Sequence, residues 1–221
     1  MTRLHIERRF VGEFLGSSGL LVVVVGSGIM AERLAGGNMA IALLANAVAT
    51  GAGLFALIQT FGEISGSHFN PVVSFVECLW KRLTFREFLG YTFFQILGSI
   101  VGVLLAHGLF GLELFQLGAT DRGQMRLILS EVVATFGLIT VIALAGKKSV
   151  DVVPMSVAFY ITSAYWCTSS TSFANPAVTI ARSLTNTFSG ILWTGAPAFI
   201  GAQFVGAVLA FLVSGYLLAR P

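Results

Sequence analysis

The fold is decided by one short pattern that occurs twice, as Asn70-Pro71-Val72 and again as Asn175-Pro176-Ala177. Asn is a favoured N-cap and Pro is well tolerated at the first helical position, so each triplet predicts the start of a helix. The apolar run after each triplet has about ten residues, whereas about 20 are needed to cross a bilayer. A single Asn-Pro would indicate only a turn. Two in matched contexts predict two short helices whose N-terminal ends, with their positive dipoles, meet inside a membrane.

The composition indicates a polytopic helical membrane protein. The 221 residues are 56% hydrophobic and 10% charged, whereas soluble domains usually carry about 25% charged residues. The net charge of +3 predicts no nucleic-acid partner, because the basic residues are spread along loops, where membrane proteins use them for orientation. We expect no cofactor and no metal, because Cys78, Cys167 and three scattered histidines lack metal-ligand spacing.

Six apolar segments are long enough to predict membrane-spanning helices. They cover approximately 10–31, 39–62, 86–110, 126–146, 152–168 and 194–218. The Asn70 half-helix is expected to end near Trp80, and the Asn175 half-helix near Leu184. We therefore predict an all-α membrane protein with six transmembrane helices and two re-entrant half-helices, forming a single transmembrane domain over residues 1–221.

The distribution of Lys and Arg predicts that both termini are cytoplasmic, in a cell inner (plasma) membrane. In this orientation the inner side carries Arg3, Arg8, Arg9, Lys81, Arg82, Arg86, Lys147, Lys148 and Arg220. The outer side carries Arg33, Arg122, Arg126 and Arg182. The Asn70 half-helix then enters from the cytoplasm and the Asn175 half-helix from outside.

The two halves of the chain repeat one another. Each carries a Glu in its first helix, then an Asn-Pro motif, then a Gln-x-x-Gly in its third helix. These are Glu13, Asn70 and Gln95-x-x-Gly98 in about 8–110, and Glu131, Asn175 and Gln203-x-x-Gly206 in about 125–218. Because each half has three membrane spans, the two halves must lie in opposite orientations in the membrane. The pattern therefore predicts an inverted repeat with its site at the repeat interface near the membrane midplane.

These motifs resemble those of the aquaporin and glycerol-facilitator family, and the resemblance covers essentially the whole chain. The matching stretches are Ile64-Ser65-Gly66-Ser67-His68-Phe69-Asn70-Pro71-Val72 and Ser172-Phe173-Ala174-Asn175-Pro176-Ala177, with Glu13 and Glu131. The resemblance implies a homotetramer with one pore per subunit. It also implies that Asn70-Pro71-Val72 and Asn175-Pro176-Ala177 lie at the pore centre, where the amide N–H groups of the two Asn donate to a passing solute.

The chain departs from the family pattern at one position that bears on selectivity. Most members have Arg three residues after the second motif's Asn, and here that residue is Val178. By motif register, the remaining filter positions are Thr50, Ser163 and Ser172, which predicts a wide, uncharged and mildly polar filter. The stretch from Asn175 onward resembles bacterial aquaporins associated with arsenic resistance. This resemblance implies passage of arsenite, methylated arsenicals, glycerol-like solutes and some water.

Two carboxylates are predicted inside spanning helices, at Glu13 and Glu131. We favour a structural role, in which each accepts hydrogen bonds from the backbone of a re-entrant loop. The alternative is a proton relay for coupled transport, because intramembrane carboxylates are functional candidates by default.

Two residues near the predicted pore mouths allow alternative roles. His68 either lines the inner mouth and responds to pH, or is a satisfied loop residue. Arg182 lies on the same helix face as Val178. We expect Arg182 to snorkel to the outer surface. The alternative is that it reaches back to the outer mouth of the pore, because helical side chains lean toward the N-terminus.

The most consistent function is a passive channel, with small neutral solutes and membrane lipid as partners. The alternatives are an inverted-repeat secondary transporter, a glycerol or urea facilitator with no arsenic role, and a structural junction protein. Sparse intramembrane charge argues against a coupled transporter. An enzyme is not expected, because no Ser, His and acid occur at an interpretable spacing.

Overall fold

The computed structural model describes residues 5–219, and this part of the chain is all-helical, as predicted. Its eight α-helices are α1 Ile6–Leu34, α2 Met39–Ser65, α3 Pro71–Leu79, α4 Phe85–Leu109, α5 Met125–Lys148, α6 Val153–Cys167, α7 Pro176–Arg182 and α8 Ala196–Leu218. Short 3-10 turns, Val150–Val152 and Trp193–Gly195, precede α6 and α8. Arg3 and Arg220, which count toward the predicted orientation, lie outside the described residues.

Within residues 5–219, five helices are long and apolar enough to span a membrane, rather than the six that the sequence predicts. The exception is α6, whose 15 residues rise only about 22 Å, short of the bilayer's apolar core of about 30 Å. The preceding 3-10 turn extends this to about 28 Å. Helix α6 packs between α2 and α5, so the sixth segment still completes the bundle.

Helix pairing follows the predicted repeat, because α1 packs along α4 as α5 packs along α8. Gly98 and Gly206 permit this approach. A Cβ at Gly98 would collide with the carbonyl oxygen of Phe14, and a Cβ at Gly206 with that of Val132. Phe14 and Val132 directly follow the two intramembrane carboxylates, so the same close contact occurs in both halves.

The half-helices begin where the sequence predicts. Asn70 caps α3 by accepting a hydrogen bond from the Val72 N–H at 3.0 Å, and Asn175 caps α7 through the Ala177 N–H at 3.0 Å. Helix α3 ends one residue before the expected Trp80, and α7 ends two residues before Leu184. The two half-helices contact one another, which brings their N-terminal ends together inside the bundle.

The loops that precede the half-helices share an uncommon backbone. Ser67 and Phe69 have φ of 51° and 48°, and Ser172 and Ala174 have φ of 52° and 46°. These are the third and first residues before each motif Asn. Left-handed φ in residues other than Gly costs about 1–3 kcal/mol each and persists only when the surroundings hold it. The inverted repeat therefore extends to the conformation of single loop residues.

Candidate functional site

A cavity of about 270 Å³ runs through the bundle and is lined by both halves of the chain. Asn70 and Asn175 lie on its wall where the half-helices meet. The other residues expected at the pore centre are buried in the half-helices and do not line the cavity, namely Pro71, Val72, Pro176 and Ala177. The loop residues give one side of the cavity a polar surface. The rest of the wall is apolar and includes Leu20, Val24, Leu54, Leu138, Val157 and Ile161. This combination of a narrow polar track and an apolar wall is suited to passage rather than to tight binding.

The two asparagines are linked across the repeat. The Asn70 Nδ2 donates to the Ala174 carbonyl at 2.8 Å, and the Asn175 Nδ2 donates to the Phe69 carbonyl at 2.8 Å. Their Oδ1 atoms cap the half-helices. An amide nitrogen carries two N–H groups, so each Asn keeps a second N–H for a solute in the cavity that both side chains line.

Glu13 holds the first loop through four hydrogen bonds. Its Oε1 accepts from the Ser65 hydroxyl at 2.6 Å and the His68 N–H at 3.0 Å. Its Oε2 accepts from the Phe69 N–H and the Gln95 Nε2, both at 2.7 Å. The carboxylate thus satisfies backbone donors of a loop that has positive φ values and no regular secondary structure.

Glu131 holds the second loop in the same way. It accepts from the Phe173 N–H at 2.9 Å, the Ala174 N–H at 2.8 Å and the Gln203 Nε2 at 2.7 Å. The Gln203 Nε2 also donates to the Thr179 hydroxyl, 2.9 Å away. These contacts favour the structural role of the carboxylates over a proton relay.

Three of the four predicted filter residues come together at one end of the cavity, namely Thr50, Ser172 and Val178. The Thr50 Oγ1 lies 3.2 Å from the hydroxyl of Tyr165, which also lines the cavity. The Ser172 hydroxyl is buried and has no hydrogen-bond partner among residues 5–219. Ser172 therefore lines the cavity with its other atoms, while its hydroxyl is shielded and unpaired.

The prediction that Ser163 belongs to this filter is wrong. Ser163 is exposed, and its hydroxyl donates to the Tyr160 carbonyl at 2.8 Å in a separate groove on the outside of α5 and α6. The cavity face of α6 consists of Val153, Val157, Ile161 and Tyr165, which are spaced by one helical turn. Ser163 is two residues from the last two of these and so points away from the cavity.

The expectation that Arg182 snorkels to the surface is also wrong. Only 3% of Arg182 is exposed, and its Cζ lies 3.4 Å from the centroid of the Phe173 ring. Its Nε donates to the Ser189 carbonyl. Arg182 lines the central cavity and also a second cavity of about 520 Å³, here called the outer vestibule. The outer vestibule is lined by Glu32, Met39, Leu43, Asn46, Thr120, Arg122, Thr171, Arg182, Asn186, Thr187 and Phe188.

A second arginine, Arg122, was not predicted at the site. It comes from the loop between α4 and α5, and its Cζ lies 5.2 Å from the centroid of the Phe173 ring. It donates to the Gly190 carbonyl at 3.0 Å and the Ser170 carbonyl at 3.4 Å. Burial lowers the pKa of the Arg122 guanidinium. No local motif marks this residue, because a long loop brings it to the site.

The opposite end of the cavity is lined by His68 and Glu77. The His68 Nδ1 lies 3.0 Å from the Ser74 hydroxyl, and the His68 ring packs beside Tyr91. The Glu77 carboxylate is 3.0 Å from the Arg82 Nη1. His68 is therefore a hydrogen-bonded loop residue that also lines the cavity. Sequence reasoning did not identify Glu77.

Comparisons with known proteins agree with this geometry. Residues 1–150 match the family described as Major intrinsic protein. Aquaglyceroporin AqpS from Rhizobium meliloti is 47% identical, over 100% of this chain and 95% of that protein. Aquaporin AqpM from Methanothermobacter marburgensis is 31% identical, over 97% of this chain and 98% of that protein. The X-ray structure of the aquaglyceroporin from Plasmodium falciparum has a TM-score of 0.73, with 19% identity over 97% of this chain and 98% of that chain.

Proposed function

Because the chain belongs to the major intrinsic protein family, whose members are membrane channels and not enzymes, we propose that it passes water and glycerol-like solutes down their gradients. The observation that carries this proposal is the pairing of Asn70 and Asn175 on the wall of one cavity shared by both repeats. The similarity to an aquaglyceroporin along the whole chain supports the same solute class.

In the proposed mechanism, protein hydrogen bonds replace part of the solute's hydration shell at the centre of the cavity. A hydroxyl oxygen of the solute accepts from the free N–H of Asn70 and then of Asn175. The positive N-terminal ends of α3 and α7 point at the same place and disfavour cations and protons. The apolar wall offers no further hydrogen bonds, so a neutral solute is released readily.

We propose that the selectivity filter consists of Thr50, Tyr165, Ser172 and Val178. The Thr50 and Tyr165 hydroxyl groups in this set can accept from or donate to a polyhydroxyl solute. Val178 is much shorter than Arg, which leaves more room for the solute and adds no charge. Neutral arsenious acid and methylated arsenicals are small, hydrogen-bonding solutes that fit this chemistry, and we include them in the proposal.

The decisive experiment measures passive flux in liposomes that contain the purified full-length chain. Glycerol, water and arsenious acid should each enter faster than in empty liposomes, at rates that follow the solute gradient and ignore a protonophore. Flux no faster than in empty liposomes, or accumulation against a gradient under an ion gradient, would overturn the proposal. Passage of glycerol but not of arsenious acid would favour the alternative of a facilitator that has no arsenic role.

A matched pair of variants tests the assignment of the filter. Tyr165→Phe removes the hydroxyl beside Thr50, so we expect a changed ratio of glycerol to water permeability. Ser163→Ala changes an exposed hydroxyl on the same helix but outside the cavity, and its ratio should equal that of the unaltered protein. An effect of Ser163→Ala without an effect of Tyr165→Phe would contradict the filter proposed here.

We further propose a homotetramer in the plasma membrane, with both termini cytoplasmic. The family resemblance supports the tetramer, and the excess of Lys and Arg on the predicted inner loops supports the orientation. Native mass spectrometry of the detergent-solubilised protein would give the subunit number. Both native cysteines, Cys78 and Cys167, are free and would first be replaced by Ser. Labelling of the Arg8→Cys and Arg126→Cys variants in that background with an impermeant reagent in whole cells would then test the orientation, with only Arg126→Cys expected to react.

A further inference from the structure

Arg182 separates the two cavities of the molecule. Among residues 5–219, it is the one residue that lines both the central cavity and the outer vestibule. Arg122 and the hydroxyl-bearing Thr120, Thr171 and Thr187 also line the outer vestibule. A molecule that contacts Arg182 from the vestibule therefore sits at the entrance to the pore.

The outer vestibule holds two positive charges, those of Arg122 and Arg182. Both guanidinium groups lie against the Phe173 ring, at 3.4 Å for Arg182 and 5.2 Å for Arg122. Their hydrogen bonds go to neutral carbonyl oxygens, and within the described part of the chain neither forms an ion pair. Glu32 also lines the vestibule but is exposed to solvent. Two like charges in a partly buried site repel each other, and an anion between them would relieve this repulsion.

Both arginines also retain unused donors. Arg182 uses its Nε, and its two terminal nitrogens have no partner among residues 5–219. These two nitrogens are not fully buried, so they reach the cavity surface. The same holds for the Arg122 Nη2. The planar guanidinium fork matches the two oxygens of a carboxylate or phosphate, and such charged pairs are about twice as strong as neutral hydrogen bonds.

We propose that the outer vestibule binds a small oxyanion, such as phosphate, sulfate or a carboxylate, between Arg122 and Arg182. The bound anion would lie over the pore entrance and slow the passage of neutral solutes. Anion binding requires only the two arginines, whereas the slowing of solutes also rests on the proposed channel function.

Calorimetric titration of the purified full-length protein with inorganic phosphate tests the site directly. Saturable binding is expected in the unaltered protein, with affinity about tenfold weaker, or about 1.4 kcal/mol, in Arg122→Gln. Arg126→Gln is the matched control, because Arg126 is exposed in the adjacent segment and bonds only to Gln124 through its side chain. Arg122→Lys retains the charge and should bind better than Arg122→Gln. Absence of saturable binding, or equal affinity in Arg122→Gln and Arg126→Gln, would overturn the proposal.

Flux in liposomes tests the position of the site. Phosphate on both sides of the membrane should slow glycerol entry relative to chloride at equal ionic strength, and Arg122→Gln should remove this difference. Phosphate binding without slowing would overturn the position over the pore entrance. Absence of glycerol flux in every buffer would overturn the channel function instead, and the calorimetric result would still decide the anion site.

Discussion

Asn70 and Asn175 each donate a hydrogen bond to the loop that carries the other, at 2.8 Å to the carbonyls of Ala174 and Phe69 respectively. Each side chain therefore has three tasks. It caps its own half-helix, ties the two repeats together and lines the cavity. Since one side chain serves both assembly and the proposed pore, stability and flux must be measured separately in variants.

Asn175→Ala should abolish most of the flux and also lower stability. The substitution removes a helix cap worth about 0.5–2 kcal/mol and one of the two central donors. Stopped-flow light scattering would measure glycerol flux, and thermal unfolding in detergent would measure stability.

Asn38→Ala is the matched control for this change, because Asn38 caps α2 through the Ala40 and Ile41 N–H groups and lies outside the cavity. It should lose similar stability while keeping its flux per folded protein. Flux at the unaltered level in a well-assembled Asn175→Ala protein would refute the pore assignment.

Glu13→Gln and Glu131→Gln should mainly lower the yield of folded protein. A neutral amide oxygen accepts hydrogen bonds less well than a carboxylate, and the amide NH₂ would face the loop N–H donors that the carboxylate now satisfies. The yield of monodisperse protein by size-exclusion chromatography is the measurement. Exposed Glu113, changed to Gln, provides the control. A proton-coupled current that both variants abolish would favour the transporter alternative.

Val178→Arg should reduce glycerol passage more than water passage. The new guanidinium would narrow the end of the cavity that holds Ser172 and Thr50, and would add a third positive charge near Arg122 and Arg182. The measured quantity is the ratio of glycerol to water permeability at equal protein content.

Val178→Leu separates size from charge, since it enlarges the side chain without adding a charge. Its ratio should fall between those of the unaltered protein and Val178→Arg. If the ratio is unchanged in Val178→Arg while assembly is intact, Val178 does not lie at the selective constriction.

Arg182→Ala should raise the ratio of glycerol to water permeability. The guanidinium stands between the two cavities, so its removal widens their connection and removes a positive charge. Arg126→Ala, an exposed arginine, should leave the ratio unchanged. A ratio in Arg182→Ala equal to that of the control would mean that Arg182 does not restrict the solute path.

The half-helices were predictable because their signals are local. An Asn N-cap followed by Pro at the first helical position determines where α3 and α7 begin, whatever surrounds them. The repeated Glu and Gln-x-x-Gly patterns also predicted the inverted repeat, and the packing of α1 along α4 and of α5 along α8 follows it.

The sequence by itself thus determined the all-helical membrane fold, the two half-helices and the meeting of Asn70 and Asn175. Tertiary structure alone decided which residues surround the outer end of the cavity. Ser163 lies off the cavity because Ile161 and Tyr165, two residues to either side of it in α6, form the cavity face, and motif spacing alone does not determine which face of a helix the packed bundle turns inward. Arg182 turns inward because the Phe173 ring and the Ser189 carbonyl, which the loops on either side of α7 hold beside it, stabilise its guanidinium.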